Sequence, residues 1–153
     1  MKKVCMIFLF IFSMSIFLIG CNAEKKEVKA EFDTEKVQKI EVSSVENPEQ
    51  ILHVMETKKD MKEFTETLQI DKWDTATIPS DAVEEYTYKL YQEDTIKLGE
   101  SKADKRELKH VGTIITYKNS PYIQLKSKKL TFNFKVPKDV TEQLSNDVWT
   151  SKE

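Results

Sequence analysis

Beyond residue 36 the chain alternates apolar and polar positions in two periods, and the switches between them outline a fold. In "KIEVSSV", Ile40 and Val42 alternate with Glu41 and Ser43, the pattern of a half-buried strand. Asn47-Pro48 marks a turn. Ile51, Leu52, Val54 and Met55 fit a helix face or a short strand, and strand is the preferred reading. "DMKEFTETLQI" then changes to the helical period, with Met61, Phe64 and Leu68 on one face. Asp60 is placed to cap this helix, with Glu63 as its reciprocal partner.

After a loop holding Trp73 and Pro79, period two returns. Tyr86, Tyr88 and Leu90 share a face, and Ile96 and Leu98 share another strand. An acidic turn near Glu93-Asp94 would join these two strands as a hairpin. "VGTIITYKNSPYIQLK" predicts a second hairpin around Asn119-Ser120-Pro121. In "LTFNFKV", Leu130, Phe132, Phe134 and Val136 alternate with polar residues until Pro137 stops the strand. Asp139 with Glu142 repeats the capping pattern, and Val140, Leu144 and Val148 form a helical face ending near Trp149. The expected fold is α+β. It has an antiparallel sheet of about five to seven strands, with two helices, near 60–69 and 139–148, packed on one face. One domain would cover residues 36–150.

The beginning of the chain has another character. Met1-Lys2-Lys3 precedes a run from Val4 to Ile19 that is apolar except for Ser13 and Ser15. A basic head, an apolar run and a small exit residue are the parts of a secretory signal. The run falls a little short of the ~20 residues of a comfortable bilayer span. It ends in Leu18-Ile19-Gly20-Cys21, which resembles the lipobox of bacterial lipoprotein precursors. The resemblance covers residues 1–21 only. It implies that the Cys21 thiol accepts a diacylglyceryl group, with palmitate-type chains, and that a peptidase cuts between Gly20 and Cys21. Residues 1–20 would then be a removed signal peptide. Residues 21–35 would be the lipidated Cys and a charged tether, too poor in apolar residues to order itself. The competing reading is an ordinary signal or retained anchor with an incidental cysteine. Lys outnumbers Arg throughout, Arg106 being the single arginine. That bias suits an AT-rich genome and the small lipoproteins of low-GC Gram-positive bacteria.

Removal of residues 1–20 takes two lysines and no acid, so 22 basic residues stand against 26 acidic ones, a balance of −4. It also takes Cys5, leaving Cys21 as the last thiol. A disulfide, thiolate catalysis and a Cys-ligated metal are thereby excluded from the mature chain. His53 and His110 stand apart without metal-spaced neighbours. No Ser stands in a Gly-x-Ser-x-Gly turn, and Gly99 and Gly112 cannot build a phosphate loop. Acidic pairs such as Glu84-Glu85 read as solvated charge. The expectation is a chain that is not an enzyme, with no metal and no cofactor.

Charge is segregated. Residues 22–96 carry 10 basic and 19 acidic side chains, whereas residues 97–138 carry 11 and three. Lys126, Lys128 and Lys129 cluster in the basic block. Either the block forms a face toward anionic lipid or wall polymer, or the fold neutralises it internally. A net acidic chain with one Arg is a poor nucleic-acid binder. Among the tyrosines, Tyr91 lies on the face opposite Tyr88 and is the better candidate for contact. Trp73 and Trp149 read as lids over the core. The sequence therefore predicts a lipoprotein on the extracytoplasmic face of the cell membrane, held to lipid through Cys21. It would act as a binding module for an envelope protein or an anionic wall polymer. A small-ligand or sugar binder and a surface inhibitor or immunity-type protein are the alternatives.

Overall fold

The computed structural model describes residues 36–94, 107–128 and 130–145. The chain divides into two units, Met1–Phe32 and Asp33–Glu153, and every described residue belongs to the second. Gly20, Cys21, Lys129, the strand expected at 95–101, and Val148 with Trp149 lie outside the described residues.

Seven strands and two α-helices follow in the order β1 Lys39–Ser44, β2 Ile51–Met55, α1 Lys58–Leu68, β3 Asp74–Thr75, β4 Glu84–Glu93, β5 Leu108–Tyr117, β6 Tyr122–Ser127, β7 Thr131–Lys135 and α2 Lys138–Ser145. They form one sheet in the order β2-β1-β4-β5-β6-β7-β3. Every neighbouring pair is antiparallel. The expected α+β fold, with both helices on one face, is what the chain adopts. The β5–β6 hairpin turns at residues 118–121, and Asn119 takes a positive φ of 51° there. Asn is among the few residues that accept that conformation readily.

The core lies between the sheet and the helices. Ile40 and Val42 of β1, Tyr88 and Leu90 of β4, Ile114 of β5 and Leu125 of β6 are buried. Phe64 and Leu68 of α1 and Val140 and Leu144 of α2 are buried too. Tyr88 ties both helices to the sheet. Its ring lies 5.7 Å from that of Phe64, and its hydroxyl donates to the Leu144 carbonyl. That carbonyl lies near the end of α2, where helix carbonyls lack intrahelical partners, and among the described residues no later amide of the helix reaches it. Trp73 is buried, packs with its ring tilted against Phe134 at a centroid distance of 5.2 Å and donates its indole N–H to the Leu68 carbonyl. It is the core lid expected of it.

Several details differ from the sequence reading. Thr57, not Asp60, caps α1: its hydroxyl accepts from the Asp60 amide at 3.1 Å, and the Asp60 carboxylate accepts from the Thr57 amide at 3.2 Å. Asp60 is thus the third residue of the box rather than its first, and the helix begins two residues earlier than Asp60. At α2, Asp139 sits inside the first turn and accepts from Gln69 Nε2 at 2.8 Å, tying the end of α1 to the start of α2. Glu93 is not in a turn; it pairs with Leu108 as the last residue of β4. The loop holding Trp73 contains a short 3-10 turn, Ile70–Lys72, and the two-residue strand β3. Leu130 falls outside β7 and is 43% exposed. Met61 is only half-buried and Tyr86 likewise.

Ser43 is buried at a bulge between β1 and β2, and its hydroxyl has no hydrogen-bond partner among the described residues. A buried polar group without a partner costs about 1–3 kcal/mol. Ser43→Ala is therefore expected to leave stability unchanged or raise it by about 1 kcal/mol. A loss of more than that in urea unfolding would mean that the hydroxyl has a partner after all.

Candidate functional site

With both helices on one side, the other side of the sheet presents a registered polar row. Glu41 of β1 stands opposite Lys89 of β4, Lys89 opposite Thr113 of β5, Thr113 opposite Lys126 of β6, and Lys126 opposite Thr131 of β7. These residues alternate with the core residues Val42, Leu90, Ile114 and Leu125, so the pleat turns them away from the helices. A second row lies beside it, with Lys39 opposite Tyr91 and Tyr91 opposite His110. The register shifts between Leu90 and Tyr91, and this shift sets His110 beside Tyr91.

Glu41 organises the cluster. Its carboxylate accepts from the Tyr91 hydroxyl at 2.7 Å and from Lys39 Nζ at 2.9 Å. Partial burial pushes its pKa up, but the bonds from Tyr91 and Lys39 and the charges of Lys39 and Lys89 outweigh it. The carboxyl is held below its ordinary range. Lys39 also reaches Glu56 at 3.5 Å, and it is held above its ordinary value chiefly by the bond to Glu41. Burial, the bond to Glu41 and that residue's charge push the Tyr91 phenol up to about 12. Tyr91 and His110 pack with ring centroids 5.6 Å apart, and His110 Nε2 lies 2.9 Å from Thr113 Oγ1.

The sequence-predicted residues divide. Tyr91 lies on the open face as expected, yet its hydroxyl is committed to Glu41, which leaves the ring as its contact surface. Lys126 is in the registered row, and Lys128 is exposed in the turn between β6 and β7. The sequence reading did not single out Lys39, Glu41, Lys89 or Thr113, and it treated His110 as ordinary. Their one local signal was their place at the polar positions of alternating strands. Within the described part of the basic block, Lys109 pairs with Asp94, while Lys118, Lys126, Lys128 and Lys135 form no ion pair among the described residues.

The cluster holds no array suited to covalent chemistry among the described residues. The His110–Thr113 pair is the nearest to a base and a hydroxyl, but His110 is exposed and, among the described residues, no carboxylate or carbonyl hydrogen-bonds its other ring nitrogen. No group of three His, Cys, Asp or Glu could hold a metal among the described residues. A surface hollow of about 370 Å³ lies elsewhere, against Pro79, Val83 and Asn119. Among the described residues no helix is long and apolar enough to cross a membrane. Compared with known proteins, the chain matches no family model, no curated protein and no solved structure.

Raising a phenol's pKa on folding means that the folded state holds its proton more tightly. Tyr91 therefore contributes stability below its ordinary pKa of about 10. That contribution is lost as pH rises toward about 12. Glu41→Gln removes the charge and should move the Tyr91 ionisation down toward the ordinary value. Tyrosinate absorbance, compared with a Tyr91→Phe chain, reads the shift. An unmoved titration would mean that Glu41 does not govern the phenol.

Proposed function

We propose that this chain is a lipoprotein held at the extracytoplasmic face of the cell membrane by a lipid on Cys21, and that its domain is a non-enzymatic binding module. The open sheet face engages a phosphate-rich envelope component, either wall polymer or lipid headgroups. The observation that carries this reading is the row Lys89–Thr113–Lys126, with two lysines free of ion pairs among the described residues. Each lysine near an anionic surface contributes about 1 kcal/mol. The Tyr91–His110 step beside the row offers ring faces for packing against sugar or peptide. Leu18-Ile19-Gly20-Cys21 supports the anchor. Two acyl chains anchor stably where one binds marginally. A fully extended 22–35 tether would span at most ~50 Å, enough for the domain to reach both membrane and inner wall.

The chain from residue 24 onward, free of lipid, tests the binding half. It is expected to bind anionic vesicles or purified wall polymer at low ionic strength, to ignore neutral vesicles, and to weaken steeply as salt shortens the screening length. Equal binding to neutral vesicles, or none at low salt, would reject the reading.

A further inference from the structure

The two edges of the sheet are built differently. β3 is two residues long and begins with Asp74. β2 is five residues long, Ile51-Leu52-His53-Val54-Met55, without an acidic residue, a lysine or a proline. Ile51 is 50% exposed and Val54 40%. Sheet edges are usually kept from pairing by lysine, proline or shortness, and β2 has none of these. The bulge at Val42/Ser43 affects only its first residues; His53, Val54 and Met55 keep plain register with Val42, Glu41 and Ile40.

The ends of this strand carry opposite charge. Glu46 and Glu49 precede it, and Lys58 and Lys59 follow it. All four are exposed, and none is in an ion pair among the described residues. Glu56, between strand and lysines, is already engaged by Lys39. An antiparallel mate runs the other way, so its basic exit meets the acidic entry of the first strand.

We propose that β2 is a homotypic docking edge that pairs antiparallel with β2 of a second copy of this chain. Full overlap of the five residues sets the two-fold axis through His53. Ile51 then faces Met55 of the mate, Leu52 faces Val54, and His53 faces its own equivalent. The interface is isologous, so each contact occurs twice. Glu46 and Glu49 meet Lys58 and Lys59 at both ends of the seam. Confinement to a membrane would raise the effective concentration of the pair, but the inference does not rest on the anchor.

The full chain carrying His53→Cys, oxidised with copper phenanthroline in the fraction where it resides, tests the pairing. A residue on the axis lies about 4.5–5.5 Å from its own equivalent across paired strands, within disulfide reach. A reducible dimer is expected. Adding Val54→Lys should lower its yield at least fivefold, and Lys128→Cys should give none. Mixing Leu52→Cys and Val54→Cys chains should give the mixed dimer, a readout independent of His53. A reducible dimer of the wild-type chain would report a free Cys21 or Cys5 and count against the processed lipid anchor, and a background with both Cys5→Ala and Cys21→Ala then reads the edge alone. No cross-link from either design, equal yield from Lys128→Cys, or a disulfide to a different protein would overturn the proposal.

Discussion

Tyr88→Ala is expected to destabilise the domain by about 3–5 kcal/mol, the usual cost of deleting a buried aromatic ring. Tyr88 is 1% exposed, packs on Phe64 and on the sheet core, and donates to the Leu144 carbonyl. Burial raises the pKa of its phenol, so it remains a donor throughout the physiological range. The ring and the hydroxyl act on different partners. Tyr88→Phe keeps the contact with α1 and loses only the bond to α2, at about 1–3 kcal/mol for the carbonyl left behind. Tyr88→Ala loses both. Domains of this size are stable by about 5–15 kcal/mol, so the Ala variant should lose a large part of the margin, with a melting point lower by roughly 10–20 °C. Urea unfolding of the two variants separates the contributions. Equal costs for Phe and Ala would mean that the ring's packing contributes nothing beyond the hydroxyl bond.

Cys21→Ala is expected to change location rather than stability. The thiol is the acceptor of the lipid in the lipoprotein reading, and no other residue near the border can replace it. Cys5 lies on the other side of the proposed cut. The variant should leave the membrane fraction almost entirely, or persist as a larger precursor that retains residues 1–20. The soluble variant should unfold at the same urea concentration as the chain from residue 24, because both contain the whole of the described domain, which begins at residue 36. Fractionation and gel mobility identical to wild type would remove the lipid from the account and leave an ordinary signal or a retained anchor.

The fold was legible wherever alternation was strong. Ile40 with Val42, Tyr88 with Leu90, and Phe132 with Phe134 all stand on strands, because period two marks a sheet with one buried side. The cap of α1 was ambiguous because Thr57-x-x-Asp60 and Asp60-x-x-Glu63 both fit a capping box. The first is the one formed, and it adds Lys58 and Lys59 to the helix. β3 was invisible: two polar residues at an edge have no period to detect. The candidate site was the least legible part. Lys39 and Glu41 are some fifty residues from Tyr91, and only the pairing of β1 with β4 brings them together. The bulge that sets His110 beside Tyr91 leaves no mark in local composition. The segregated charge is visible in the sequence. The fold, however, decides that Lys89, from the acidic half, joins Lys126, from the basic half, on one row.

The central claim is that this row is the binding surface. Its most direct test compares two double variants of equal charge change in the chain from residue 24. Lys89→Gln with Lys126→Gln removes the open-face pair, while Lys62→Gln with Lys138→Gln removes two lysines from the helices. At about 1 kcal/mol per lysine, the open-face variant should bind anionic vesicles or wall polymer about 30-fold more weakly at low salt, and the helix variant should bind nearly as wild type. Equal losses from the two variants would make the attraction one of net charge alone and contradict the assignment of the open face.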